Sequence, residues 1–392
     1  MTQLLLHNAR VVLEDRVQPG GVLAREGRIA EVFAGDDGPA GLGANEKIDL
    51  GGAYLAPGMI DLHIHGSAGV DVQNTDYAGL AKLSEFLLAE GVTGYFATYV
   101  PTDDRGYRAA LAEIAAYTEG QDSQPPRARI LGIHFEGPFV NHNRCGALQR
   151  QHFRTYDGDP RSVEVFTGAN RLMTLAPEIE GGLALTRELT AGGVRVFIGH
   201  SQADPETLDR AFAAGARHIT HFPNALDPMH HRKPGAVGWS LVRRDVTVDC
   251  IADFQHVHPL MLRLIYQTKG ADRMALISDA IMAAGLGDGE FEIWGDKIAV
   301  RDGITALMEG PAKGTIAGSV IAMRQALANV VSLGVPVEQA ARMAALTPAH
   351  SAGIAGEYGS IAPGKRADLI AFDEDFSLKL AVVGGRIGLN HL

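Results

Sequence analysis

A chain of 392 residues with 35 Lys and Arg against 46 Asp and Glu carries a net charge of −11, an acidic balance that argues against nucleic acid or an anionic membrane as its main partner. With 46% apolar and 21% charged residues it has the length and core for one large barrel with a small companion, and no apolar run approaches a membrane span. Two cysteines, Cys145 and Cys250, argue against a disulfide framework; the apolar run in "MTQLLLHNARVV" is short and lacks a basic leader, so the expected compartment is the reducing cytoplasm.

The first stretch, "LLLHNARVVL" and "GGVLAREGRIAEVF", predicts short strands with a hairpin turn at Gly27 and Arg28. The last stretch, "GSIAPGKRADLIAFD" and "LKLAVVGGRI", reads the same way. Both ends are therefore expected to build one small β-sandwich domain, from residues 1–56 and 350–392. Between them, over 57–349, apolar runs alternate with helix-like segments; strands are expected at 59–65, 94–99, 130–136, 171–176, 194–200, 217–221, 248–253 and 273–279. Among the helices, "DPETLDRAFAAG" is well punctuated: Asp204 can cap it, Pro205 fits the first helical position and Gly215 the stop. Eight strand–helix units, with strands apolar throughout, predict a closed (β/α)8 TIM-like barrel. The alternative, an open doubly wound sheet, would usually carry a Gly-rich phosphate loop after its first strand, and none is present.

The first barrel strand reads "PGMIDLHIHG", with His63 and His65 two residues apart and so on one face. Alone, the pair fits either a chance placement on a half-buried strand or two ligands of one metal. The other strand ends add Glu136 in "HFEGP", His200 in "IGHS", His221 in "HITH" and Asp279 in "ISDA". Four histidines and two carboxylates at the C-terminal face of one barrel are costly to bury uncompensated, and a divalent metal removes that cost. The set suits one catalytic ion with an open position or two ions bridged by a carboxylate. Zinc heads the candidates, with iron and manganese suiting the same donors. A bound metal acidifies water, and Asp279 is the candidate to move that proton; its blander reading is a cap on a following helix, a role compatible with the first.

These residues resemble the amidohydrolase superfamily and, within it, the N-acetylglucosamine-6-phosphate deacetylase family. The resemblance runs through "PGMIDLHIHG", "HFEGPF", "LAPE", "GHS", "HFPNAL", "HHRKPG", "ISDA", "IAGS" and "APGKRADLIAFD". It implies a metal-dependent homodimeric hydrolase that removes the N-acetyl group from an amino-sugar 6-phosphate. By match, Glu136, His200 and His221 would hold the main metal, His63 and His65 a second, and Asp279 would be base and acid. Ala147, Asn224, Ala225, Arg232, His256, Ala317, Gly318 and Ser319 would meet the substrate, with Arg232 reaching across the dimer to the phosphate. The alternative for Arg232 is a solvated loop charge. His230 and His231 are expected to line a phosphate loop, and Glu178 to be structural.

One position departs from that family. Where its usual Lys-Gly-Ala-His run places a carbonyl-polarising histidine, this chain has Leu148, which cannot donate a hydrogen bond. His152 swinging in, a second metal acting as Lewis acid, or a different substrate would each account for it. A different N-acyl or cyclic-amide substrate, the galacto epimer of the sugar, and a non-catalytic relative are the competing functions. The segment 287–312 is expected to form β-hairpins after the eighth strand.

Overall fold

Eight parallel strands form in the computed structural model, which describes residues 3–35, 46–310 and 312–392. They are β1 (Met59–Ile64), β2 (Val92–Tyr99), β3 (Arg129–Glu136), β4 (Arg171–Leu175), β5 (Arg195–Ile198), β6 (His218–Ile219), β7 (Thr247–Ile251) and β8 (Met274–Ile277), each hydrogen-bonded to the next in chain order. The ring closes beyond the last rung of β8, where the Asp279 N–H donates to His63 O (2.9 Å) and the His65 N–H to Ala280 O (2.8 Å).

Strand alternation sorts the core into two layers. Ile60, Leu62, Phe96, Leu131, Leu172, Phe197, Ile251 and Ile277 form one cluster drawn from seven of the strands, which only inward-facing side chains can do; Ala349 and Ala352 pack against it. Tyr95, Tyr99, Met173, Val196 and Ile198 belong instead to the larger cluster shared with the surrounding helices. Both faces are buried, which is why these strands read as unbroken apolar runs. The helix Pro205–Ala214 begins as its sequence specifies: Asp204 accepts from Thr207 N (2.8 Å), Pro205 follows, and Gly215 (φ 122°) ends it.

Strands from both ends of the chain form a separate eight-stranded sheet with its own apolar core, including Leu4, Leu6, Val11, Leu55, Leu369 and Leu380. The hairpin turn falls at Glu26 and Gly27, both left-handed (φ 51° and 79°), one residue before the expected Gly27–Arg28. Residues 1, 2 and 36–45 of the first stretch, and 311 in the later segment, lie outside the described residues. That later segment forms a three-stranded antiparallel sheet, Gly289–Ile293, Asp296–Arg301 and Ile304–Leu307, after β8. Among the described residues no helix is long and apolar enough to cross a membrane.

Candidate metal centre and active site

The expected strands overshoot the observed ones at the positions that carry chemistry. His200, His221 and Asp279 each lie two residues beyond the ends of β5, β6 and β8, with a left-handed backbone (φ 49°, 34° and 50°). Such a conformation costs roughly 1–3 kcal/mol for a non-glycine residue and persists only where the surroundings enforce it. It lifts each side chain off the ladder and turns it over the barrel mouth. His63 still belongs to β1 and His65 follows it, on the same side, their Nε2 atoms 3.1 Å apart.

Two trios result. His63, His65 and Asp279 form one, and Glu136, His200 and His221 the other, all buried. Glu136 joins them: its Oε1 lies 2.9 Å from His200 Nε2, 3.0 Å from His221 Nε2 and 3.5 Å from His63 Nε2, while its Oε2 lies 3.3 Å from His65 Nε2. Asp279 Oδ1 is 3.4 Å from His63 Nε2 and 3.3 Å from His65 Nε2. Among the described residues no helix starts at Asp279, the next beginning at Met323, so the helix-capping reading lapses.

The donor geometry fits a cation. His200 Nδ1 lies 2.7 Å from Arg144 O, which only a protonated Nδ1 satisfies. In the neutral ring Nε2 then carries a lone pair, aimed at Glu136 Oε1 and at His221 Nε2, 3.1 Å away. Lone pairs converging on a carboxylate repel unless a proton or metal ion lies between them. His65 repeats the pattern, with Nδ1 3.3 Å from Thr98 O and Nε2 against His63 Nε2. Imidazole with carboxylate is the donor set of a borderline divalent ion.

The metal-free electrostatics agree. Burial alone would push both imidazoles down, yet Asp279 and Glu136 raise His65 to about 10, and Glu136 raises His221 to about 9. Burial would also push the carboxyls up, but the facing imidazoles, led by the His63 charge, hold Glu136 well below its usual range and Asp279 below its own. The site thus holds ionised carboxylates and attracts positive charge.

Behind the ligands lies a second set of buried contacts. One oxygen of Asp249 accepts the His221 backbone N–H, and the other lies 2.7 Å from His218 Nε2. Asp61 accepts from Ser278 Oγ (2.5 Å) and from the His63 N–H (3.2 Å), tying β1 to β8. Glu178 is structural, as expected: it accepts from Asn141 Nδ2 (2.9 Å), Ser201 Oγ (2.7 Å) and Gln202 N (2.6 Å), bracing the loop behind His200.

A cavity of about 320 Å³ opens above the trios. Ala147, Asn224, Ala225, His256 and Gly318 line it, together with His65, Glu136, His200, His221 and Asp279. Arg232 does not: it is exposed on its loop, where its backbone N–H donates to His230 Nδ1 (3.3 Å). Ala317 is buried in the hairpin core instead, and Ser319 is buried with its hydroxyl on Ser278 O (2.5 Å). His230 and His231 meet at a tilt of 39° in the exposed loop, their ring centroids 4.2 Å apart, and His152 sits in a short turn outside the cavity lining.

Leu148 also lines the cavity, packed with Val100, Val140, Phe153 and Trp294. Trp294 comes from the hairpin segment. Its Nε1 donates to Asp71 (2.8 Å) and its ring meets His65 edge-on at 5.0 Å. Trp294, Thr315 and Ile316 are lining residues that sequence reasoning missed. A tryptophan at a hairpin tip, "EIWGD", was the available signal.

A family model described as Amidohydrolase family matches residues 262–388. An N-acetylglucosamine-6-phosphate deacetylase of Vibrio furnissii is 37% identical over 346 residues, spanning 87% of this chain and 84% of its own. An N-acetylgalactosamine-6-phosphate deacetylase of Escherichia coli O157:H7 is 35% identical over 336 residues, 85% of this chain and 87% of its own. The crystal structure of the N-acetylglucosamine-6-phosphate deacetylase of Thermotoga maritima superposes with a TM-score of 0.87 at 31% identity, covering 98% of this chain and 99% of that one.

Proposed function

The chain belongs to the amidohydrolases and, within them, to the N-acetylglucosamine-6-phosphate deacetylase family, and on that premise we propose that Asp279 drives the hydrolysis of N-acetylglucosamine 6-phosphate to glucosamine 6-phosphate and acetate. It is a metal-dependent amide hydrolase. The observation that carries the reading is the convergence of two trios of metal-type donors, with ionised Asp279 in one of them, on the floor of one cavity. A divalent ion held by Glu136, His200 and His221, with His63 and His65 holding a second, would acidify a water molecule and polarise the acetyl carbonyl. Asp279 takes a proton from the attacking water as its oxygen bonds to the carbonyl carbon. It then returns that proton to the amine nitrogen as the C–N bond breaks. Asn224, Ala225 and His256 line the wall where the phosphorylated sugar would be oriented. His256 Nδ1 is held by Asp253 Oδ2 (2.6 Å), leaving Nε2 to face the ligand.

Zinc is the proposed ion, since imidazole and carboxylate are its usual ligands. A homodimer is proposed too, with exposed Arg232 reaching the partner's substrate. The two free, buried cysteines support a reducing cytoplasm. We assign 57–349 as the hydrolase domain and 1–56 with 350–392 as the β-sandwich.

A second reading has its own observation. The Escherichia coli relative that acts on the galacto sugar is nearly as similar as the gluco enzyme, and Leu148 puts an apolar side chain beside the metal ligands. Acetate release measured with metal-loaded enzyme on both epimeric 6-phosphates tests the assignment. Turnover of N-acetylglucosamine 6-phosphate with the higher kcat/KM is expected, and failure on both sugars would end it.

A further inference from the structure

The opposite end of the barrel holds a second concave site, larger than the first. A cavity of about 450 Å³ opens beside the N-terminal ends of β5, β6 and β8, lined by Arg195, Arg217, Arg273 and His350. None of the three arginines pairs with a carboxylate among the described residues. Arg217 lies over the Phe212 ring (4.0 Å) and donates to the carbonyls of Phe212 and Ala216. Arg273 donates to Arg244 O (2.9 Å) and Asp272 O (3.0 Å). Arg195 rests against Gly353, where an added Cβ would fall 1.9 Å from its Nη2. The one carboxylate in the lining, Asp245, is already paired with Arg243 (Nε–Oδ1 2.9 Å, Nη2–Oδ2 3.0 Å). Three unneutralised guanidinium groups in one depression are unusual for a protein of net charge −11, and low-dielectric walls focus such a field.

We propose that this cavity is a second ligand site, one that takes a small phosphate-bearing anion. Guanidinium forks match phosphate oxygens, the hydroxyls of Thr190, Thr247 and Ser351 add donors, and the volume suits a small metabolite. The inference is independent of the reaction assigned above.

Its floor leads to the metal centre. Ser351 Oγ lies 3.1 Å from His218 Nδ1, His218 Nε2 lies 2.7 Å from Asp249 Oδ2, and Asp249 Oδ1 accepts the backbone N–H of His221. Two lining residues of the basic cavity are thus two hydrogen bonds or fewer from the carboxylate that positions a metal ligand.

Hydrogen–deuterium exchange on the metal-loaded protein tests the site by location. Inorganic phosphate should slow exchange in segments 193–197, 215–218 and 350–353. Acetate at equal ionic strength should not. Glucose 6-phosphate in a parallel arm separates a free phosphate from an esterified one. Arg217→Gln with Arg273→Gln should weaken the phosphate effect about tenfold or more, while circular dichroism and turnover without added phosphate stay unchanged. Either single variant serves if the double one misfolds. No slowing in these segments, equal slowing by acetate, or undiminished slowing in a folded variant would overturn the proposal. Exchange in 221–225 reports the active site separately, so failure of one site is distinguishable from failure of the other.

Discussion

The two trios at the barrel mouth use the same donor chemistry but are held differently. His63 and His65 come from one strand and its immediate extension, whereas Glu136, His200 and His221 come from β3 and the exits of β5 and β6. In the second trio each histidine is fixed from behind: His200 by Arg144 O at 2.7 Å, and His221 by Asp249 on its backbone N–H. In the first, the contacts are longer: His65 Nδ1 lies 3.3 Å from Thr98 O and the His63 backbone N–H 3.2 Å from Asp61, while the Nδ1 atoms of His63 and His221 are alike in having no partner among the described residues. Orientation by a second layer of contacts raises metal affinity, so the Glu136 trio should be the tighter site. Strands alone bring ligands together; contacts behind them decide how firmly.

The largest effect should come from the residue that serves both trios in the chemistry. Asp279→Asn keeps the shape and removes the base, and acetate release should fall about 10²–10⁴-fold with the ion at the Glu136 trio retained. A residual rate near that of the wild type would remove Asp279 from the mechanism.

Metal content then separates the trios. His200→Ala should strip nearly all bound metal, while His63→Ala should spare the ion at the Glu136 trio, both read by elemental analysis after dialysis. Equal losses would break the comparison.

Acidity sharpens it. In the metal-free protein the protons on His65 (about 10) and His221 (about 9) must leave before metal binds. Each displaced proton makes apparent affinity fall about tenfold per pH unit below those values, up to about a hundredfold where both leave. The stability of the metal-free protein runs the other way. Both pKa values are raised above the ordinary 6.5, so the stabilisation is complete below about 6.5 and is lost as pH rises through 9 to 10. Metal titrations and melting curves from pH 6 to 10 would show the opposed slopes, and parallel slopes would contradict the assignment.

Smaller effects follow from the supporting residues. Asp249→Asn should weaken metal binding about 10–100-fold through His221. Trp294→Phe removes its bond to Asp71 beside His65 and trims the ring that packs on Leu148, and it should lower turnover about threefold to tenfold. A change confined to melting temperature would make Trp294 purely structural.

How far the sequence reaches can be read from these same residues. The i, i+2 spacing of His63 and His65 predicts a shared face, and their Nε2 atoms meet at 3.1 Å. Asp204, Pro205 and Gly215 bound their helix because capping is local. The expected ends of β5, β6 and β8 run two residues too far, since His200, His221 and Asp279 follow apolar runs and nothing local marks a left-handed turn. Ala317 and Ser319 flank the lining residue Gly318 but face inward, a matter of how one loop packs.

The sequence by itself determined the alternation that makes a barrel and the residue types at its strand ends, because periodicity and side-chain chemistry are properties of short segments. Only the tertiary structure decided that Glu136 bridges the trios, that Trp294 and Leu148 wall the cavity, and that Arg195, Arg217 and Arg273 share a depression. Those neighbours are separated by tens to more than a hundred residues, and their meeting depends on barrel closure and on a hairpin sheet folding over the mouth, which no local pattern encodes.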